Sequence, residues 1–316
     1  MDRILKNGNE NEALEFKMKH TFLKYLTLSL SLAIVPAGVV TAADVQSPPG
    51  TVPFGVYDPD GDFSEDGGVT VEHLFLPWED VYLPSLNDAD VYAKERNRAL
   101  LVTVEPWTWS RSERNTARYL KNGIFSGEYD PNMRAICRIL GTLESPVTLR
   151  FMHEMDDRTG QFIWSGWEPD EFIRAYKRMT SLCKEDAPNI NLMWSPLGNE
   201  DMGEYYPGDE YADLVGLTVF GLQAWDQAKY GGDRTFDDIF APRYERAAEY
   251  GKPVVVAELG YVGQEPYVEN WKNTVRAEKA EYPSLVGVVY FNFPEVYPWP
   301  EGFGTPDWRV KNQVLK

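Results

Sequence analysis

Eight short apolar runs recur along the chain, at residues 52–57, 69–76, 99–104, 147–152, 190–194, 214–220, 253–257 and 286–291. Most are rich in β-branched residues and bounded by Gly, Pro or charge, the pattern of strands buried on both faces. Between several of them the period changes to that of a helix. In 170–183, Phe172, Ile173, Tyr176, Met179 and Cys183 recur on one face, with Pro169 at the first turn. Residues 236–250 and 267–280 behave likewise, and Gly251 supplies a C-terminal stop to the former. Eight strands alternating with helices predict an α/β fold, a (β/α)8 TIM barrel in a single domain. The rival is an open doubly wound sheet, whose nucleotide-binding forms carry a Gly-rich phosphate loop after the first strand. Here Asp58-Pro-Asp-Gly-Asp62 occupies that place. The same run fails as a calcium loop, because its sixth and twelfth positions are Phe63 and Val69 rather than Gly and Glu. It reads as a solvated loop.

The N-terminal stretch follows another pattern. Lys17, Lys19 and Lys24 precede apolar residues 25–40, which close on Val40-Thr-Ala-Ala43. These are the basic, apolar and small-residue regions of an export signal, and the apolar part is too short for a comfortable transmembrane helix. Residues 1–43 are therefore read as a signal peptide, with Met18 as an alternative start, and 44–316 as the barrel domain of a secreted or periplasmic monomer. A net charge of −18 disfavours nucleic acid and anionic membranes as partners. The two cysteines, Cys137 and Cys183, fall on the helices that follow strands three and four. Those helices are neighbours on a barrel exterior, so a disulfide is open to an exported chain.

Chemistry enters with two glutamates. Glu154 closes the fourth apolar run and Glu258 the seventh, and a charge at the tip of a buried strand is costly unless something uses it. Strands three apart in an eight-membered ring face each other across the mouth, where barrel active sites lie. Two carboxylates about 5 Å apart are what a retaining glycosidase needs. The bland alternative pairs them with arginines such as Arg150. Aromatic rings near strand ends are candidate sugar platforms, although most aromatics fill core: Trp107, Trp164, Trp194 and Tyr205 stand at such places, whereas Trp167 and Trp225 read as packing. His73 reads as a core or supporting residue.

Leu149-Arg-Phe-Met-His-Glu-Met-Asp156, the segment 205–217 beginning Tyr205-Tyr-Pro-Gly-Asp209, and Val254-Val-Val-Ala-Glu-Leu-Gly260 resemble glycoside hydrolase family 26. The resemblance runs from Phe54 to Val310. It implies a clan A barrel that hydrolyses internal β-linkages of a polysaccharide with retention, without metal or cofactor. Family substrates include β-1,4-mannans, mixed-linkage β-glucans and β-1,3-xylans; a bacterial exopolysaccharide is a further candidate. It also implies that Glu154 is the acid/base, Glu258 the nucleophile, and His153 a wall of the reacting-sugar subsite. Trp107 and Trp194 match its aromatic positions. Two residues depart from the pattern. Asp156 stands where asparagine is usual, and Phe220 where a tyrosine on strand six donates to the nucleophile. Phe220 is kept among the substrate-binding residues, and both departures leave a non-catalytic polysaccharide-binding protein as the alternative.

Overall fold

The computed structural model describes residues 45–108 and 115–315; residues 1–43, the predicted signal, lie outside them. Eight strands, β1 (Phe54–Tyr57), β2 (Val69–Pro77), β3 (Ala99–Glu105), β4 (Val147–Phe151), β5 (Asn191–Trp194), β6 (Leu214–Leu222), β7 (Val254–Val262) and β8 (Leu285–Phe291), pair in sequence order. All pairings are parallel, and β8 returns to β1 to close the barrel. Around them lie α1 (Ser85–Glu95), α2 (Ala117–Ser126), α3 (Asp130–Leu140), α4 (Pro169–Asp186), α5 (Gln223–Tyr230), α6 (Phe236–Ala248) and α7 (Glu265–Thr274). The predicted barrel is the observed one.

Local chemistry explains the helix limits. Thr235 and Asp238 form a reciprocal cap at the start of α6, and Gly251 just beyond its end takes a φ of +62°. Helix α7 stops six residues before the predicted limit. The carbonyl of Arg276 is taken by the N–H groups of Thr51 and Val52, which ties the chain to the barrel floor. Cys137 on α3 and Cys183 on α4 are joined, with Cα atoms 5.0 Å apart.

Alternate strand residues point into the barrel. Val71, Leu101, Met193, Leu214, Val255, Ala257 and Val289 form an apolar layer. Two residues further along, His73, Thr103, Arg150 and Ser195 make a polar layer joined by hydrogen bonds. The mouth begins above it. Strand β7 does not end at Glu258 but runs on to Val262, and its register with β6 and β8 slips on either side of this glutamate. Such an irregularity lets the consecutive residues Ala257 and Glu258 both face inward.

Candidate active site

Strand β4 ends at Phe151, and the chain then turns sharply. Met152 and Glu154 take φ values of +50° and +55°, the left-handed region that costs a side-chain-bearing residue free energy. Regular alternation would send His153 and Glu154 to opposite sides; these two turns bring both to the mouth. The Glu154 N–H donates to the Ser195 carbonyl at 2.7 Å, which holds the turn against the end of β5.

One donor atom each from His153, Glu154 and Glu258 lies within 4.8 Å of the others. The two predicted glutamates therefore meet. Glu258 Oε1 accepts a hydrogen bond from Arg150 Nη1 at 2.6 Å, and Arg150 is fully buried. The guanidinium is fixed in turn by Nε donating to Ser195 Oγ (2.8 Å) and Nη1 to Thr103 Oγ1 (3.3 Å), while His73 Nε2 meets the same threonine oxygen at 2.7 Å. The ion pair anticipated as a bland alternative thus exists, but inside the site and on one glutamate only. Glu154 Oε1 instead accepts from Thr218 Oγ1 at 2.5 Å.

The two carboxyls are thereby driven apart electrostatically. Burial and the charge of Glu258 push Glu154 up to about 8. Burial raises Glu258 too, but the charge and hydrogen bond of Arg150 oppose it, so Glu258 is the group that keeps its charge. His153 Nε2 lies 3.9 Å from Glu258 Oε1; burial and the Arg150 cation hold its pKa well below the usual histidine value, so the ring is neutral. The three groups form a donor set compact enough for a metal ion, with the Arg150 cation already against one of them.

The model of glycosyl hydrolase family 26 matches residues 132–245. That stretch, about a third of the chain, resembles this family. The matched stretch contains Glu154 and stops short of Glu258, whose place rests on the geometry above. Among solved structures, a family 26 protein from a Muricauda species has TM-score 0.59 and 14% identity, covering 77% of this chain and 79% of that one. A family 26 β-mannanase from Bacteroides ovatus has TM-score 0.55 and 15% identity, covering 77% and 80%. At these identities they show the shared fold. Two curated relatives match part of the chain. A β-1,3-xylanase from a Vibrio species is 28% identical over 113 residues, 33% of this chain and 24% of its own length. Endoglucanase H of Acetivibrio thermocellus is 21% identical over 252 residues, 72% of this chain and 25% of its own length. The chain thus spans about a quarter of the length of these relatives.

Within the barrel, several sequence-based site assignments need correcting. Trp194 is buried because Met193 and Ser195 take the inward positions on β5; its ring points outward against Tyr206 and Tyr250. Tyr205 is buried against Phe172, and its hydroxyl donates to the Trp167 carbonyl at 2.9 Å. Neither ring has a face free for a sugar. Trp164, also buried, stacks on Phe162 and donates from Nε1 to the His153 carbonyl at 2.7 Å, so it shapes the turn beneath His153. Trp107 is 4% exposed, edge-on to Trp164, and donates to Glu105 Oε2 at 3.2 Å. It is a wall of the site rather than an open platform. The half-buried aromatics that cluster on this side are instead Tyr57, Phe75, Phe220, Trp225, Phe293, Trp299 and Phe303.

Both departures from the family pattern also find a place. Phe220 packs on Trp308 (4.7 Å between ring centres) and stands level with Gly260; the β6 residue level with Glu258 is Thr218. Arg150 supplies the donor that a tyrosine would give. Asp156 is buried away from the mouth, accepting the N–H groups of Leu197, Gly198 and Asn199 at 2.6, 3.1 and 2.9 Å. The Asp58 loop is less solvated than read from sequence: Asp58 is buried and accepts from Phe63 N and Asn292 Nδ2, both at 2.7 Å. Sequence reasoning missed Thr103, Ser195, Thr218 and Glu105. The first and last were accessible, since Leu101, Thr103 and Glu105 are alternate inward positions of one strand.

Proposed function

We propose that the chain is a retaining β-glycanase acting on internal linkages of a polysaccharide, with Glu258 as nucleophile and Glu154 as acid/base. One observation carries this reading: two carboxyls with oxygens within 4.8 Å, one bound to a buried arginine and the other held protonated. That spacing suits direct attack by one carboxylate on the anomeric carbon and leaves no room for an intervening water, as inversion would require. Glu154 donates its proton to the leaving oxygen, then removes one from the incoming water. Arg150, held by Ser195 and Thr103, loses its ionic partner as the Glu258 charge passes into the glycosyl ester, and neutral His153 borders the sugar that reacts.

The matched relatives are named for β-1,3-xylan, glucan and mannan cleavage, so the candidate substrates are these β-linked polymers and a bacterial exopolysaccharide. Residues 1–43 have the composition of an export signal, in keeping with an extracytoplasmic monomer that meets polymer outside the cell. A reducing-sugar screen over β-1,3-xylan, mixed-linkage glucan, mannan and exopolysaccharides, with NMR of the first anomer released, tests the reading. Inverted anomers, or no loss of activity in Glu258→Ala, overturn it. The hydrogen bond from Arg150 to Glu258 favours catalysis over the non-catalytic alternative that Phe220 and Asp156 suggest, and the same Glu258→Ala assay separates the two.

A further inference from the structure

The mouth holds a third carboxyl for which the two-glutamate reaction has no use. Glu105 is the last residue of β3, in the inward series Leu101, Thr103, Glu105, and it is buried at 7% exposure. A carboxyl is costly in such a place unless it is paired or used. Its partners satisfy only half of it. Oε2 accepts from Trp107 Nε1 at 3.2 Å, a long bond, and among the described residues nothing hydrogen-bonds Oε1.

Its surroundings place it at the reacting centre. Burial, with the Glu258 charge behind it, pushes Glu105 up to about 7, and burial, then Glu105 and Glu258, raises the hydroxyl of Tyr57. Tyr297, in the segment after β8, is raised by burial first and then by Glu105. Glu105 is the next inward residue above Thr103, which accepts from the same Arg150 Nη1 that donates to Glu258, so the strand sets it at the mouth beside that pair. Arg150, the buried cation that acts on Glu105, is itself committed to Glu258, Thr103 and Ser195. Among the described residues, no hydrogen-bond partner explains the second oxygen.

We propose that Glu105 is a specificity-determining substrate contact, whose Oε1 accepts a hydrogen bond from a ring hydroxyl of the sugar seated beside Glu258. Trp107 holds the carboxyl in place by its other oxygen. A sugar that lacks the hydroxyl, or carries it in the opposite configuration, leaves a buried carboxyl half-satisfied and is rejected.

The proposal rests on the site being the one described under the proposed function, and its test is made independent of turnover. Binding of oligosaccharides from the best polymer is measured calorimetrically on Glu154→Gln, which should not hydrolyse them, with and without Glu105→Ala or Glu105→Gln. The alanine change should weaken binding about 10- to 100-fold, the scale of a hydrogen bond to a charged acceptor. Glu105→Gln keeps an oxygen for one partner only and should fall in between. A set of monodeoxy oligosaccharides should contain one whose affinity is already low for the Glu154→Gln parent and no longer changes with Glu105→Ala. A merely structural Glu105 would weaken every ligand by the same factor. Unchanged affinity in both Glu105 variants, or a uniform loss across all deoxy analogues, overturns the proposal. A wild-type chain that binds with Glu105 dependence yet hydrolyses nothing sinks the catalytic reading alone.

Discussion

Replacing the proposed acid/base should make the folded protein more stable, and by an amount that depends on pH. Glu154 moves from an ordinary value of 4.5 to about 8 on folding. The native state thus binds a proton more tightly than the unfolded chain, and stability falls as pH rises between those values. Below 4.5 both states hold the proton and the penalty is absent; above 8 it is complete. The full shift corresponds to about 5 kcal/mol. Glu154 is not wholly buried, so solvent screening brings the working figure to about 3 kcal/mol. Glutamine keeps the shape and can still accept from Thr218 Oγ1, but it never ionises. Glu154→Gln should therefore melt at the same temperature as wild type near pH 4.5. The gain should grow through neutrality to about 6–12 °C at pH 8, on the scale of about 2–4 °C per kcal/mol for a domain this large. The assay is a series of thermal melts from pH 4.5 to 9 on both proteins, beside pH–rate profiles of the wild type. Those profiles should lose activity above a limb near 8, as the acid gives up its proton. A stability difference independent of pH, or largest in acid, refutes the electrostatic account of the pair.

Other parts of the site make separate claims. Arg150→Met removes the one cation that favours a charged Glu258, so that pKa should rise. The acid limb of kcat/KM should then move to higher pH, with the maximum rate falling about 100-fold or more, the scale of a lost pre-organised donor. Phe220→Tyr should leave kcat within about twofold, since that ring packs on Trp308 two residues beyond the level of Glu258, and the missing donor is already supplied. Thr218→Val, in contrast, deletes the hydroxyl that favours the ionised form of Glu154, and should shift the basic limb upward in the same profiles. Asp156→Asn loses acceptor capacity for three N–H groups, so chemical denaturation should show about 1–3 kcal/mol less stability with KM unchanged.

The barrel was legible in the sequence because its evidence is local and repeated. Each strand announces itself by an apolar run, and the ring follows from counting eight of them. Glu154 and Glu258 were legible because a charge closing such a run breaks the pattern. What sequence could not show is direction. Trp194 and Ser195 are adjacent at the end of β5, and only the phase of alternation decides that the serine faces the site and the tryptophan the helices. Counting inward positions from the floor of the barrel would have settled that phase on β3, where it leads through Thr103 to Glu105. It fails where the backbone is irregular. The left-handed turns at Met152 and Glu154, and the slip around Glu258, are invisible in a pattern of apolar and polar letters.

Those irregularities are also where the proposed chemistry is concentrated. A regular β4 would aim only one of His153 and Glu154 at the mouth, and a regular β7 only one of Ala257 and Glu258. The fold accepts two strained residues and two broken registers, and in return an acid, a nucleophile and a neutral imidazole share a space of 4.8 Å. The polar layer beneath them turns that convergence into function. Ser195 receives the Glu154 N–H on its carbonyl and Arg150 on its hydroxyl, so a single residue supports the proposed acid from one side and the partner of the proposed nucleophile from the other. The difference between the two glutamates is therefore built from below. One rests on a buried cation and the other on a hydroxyl, and exchanging those supports should exchange their order of ionisation.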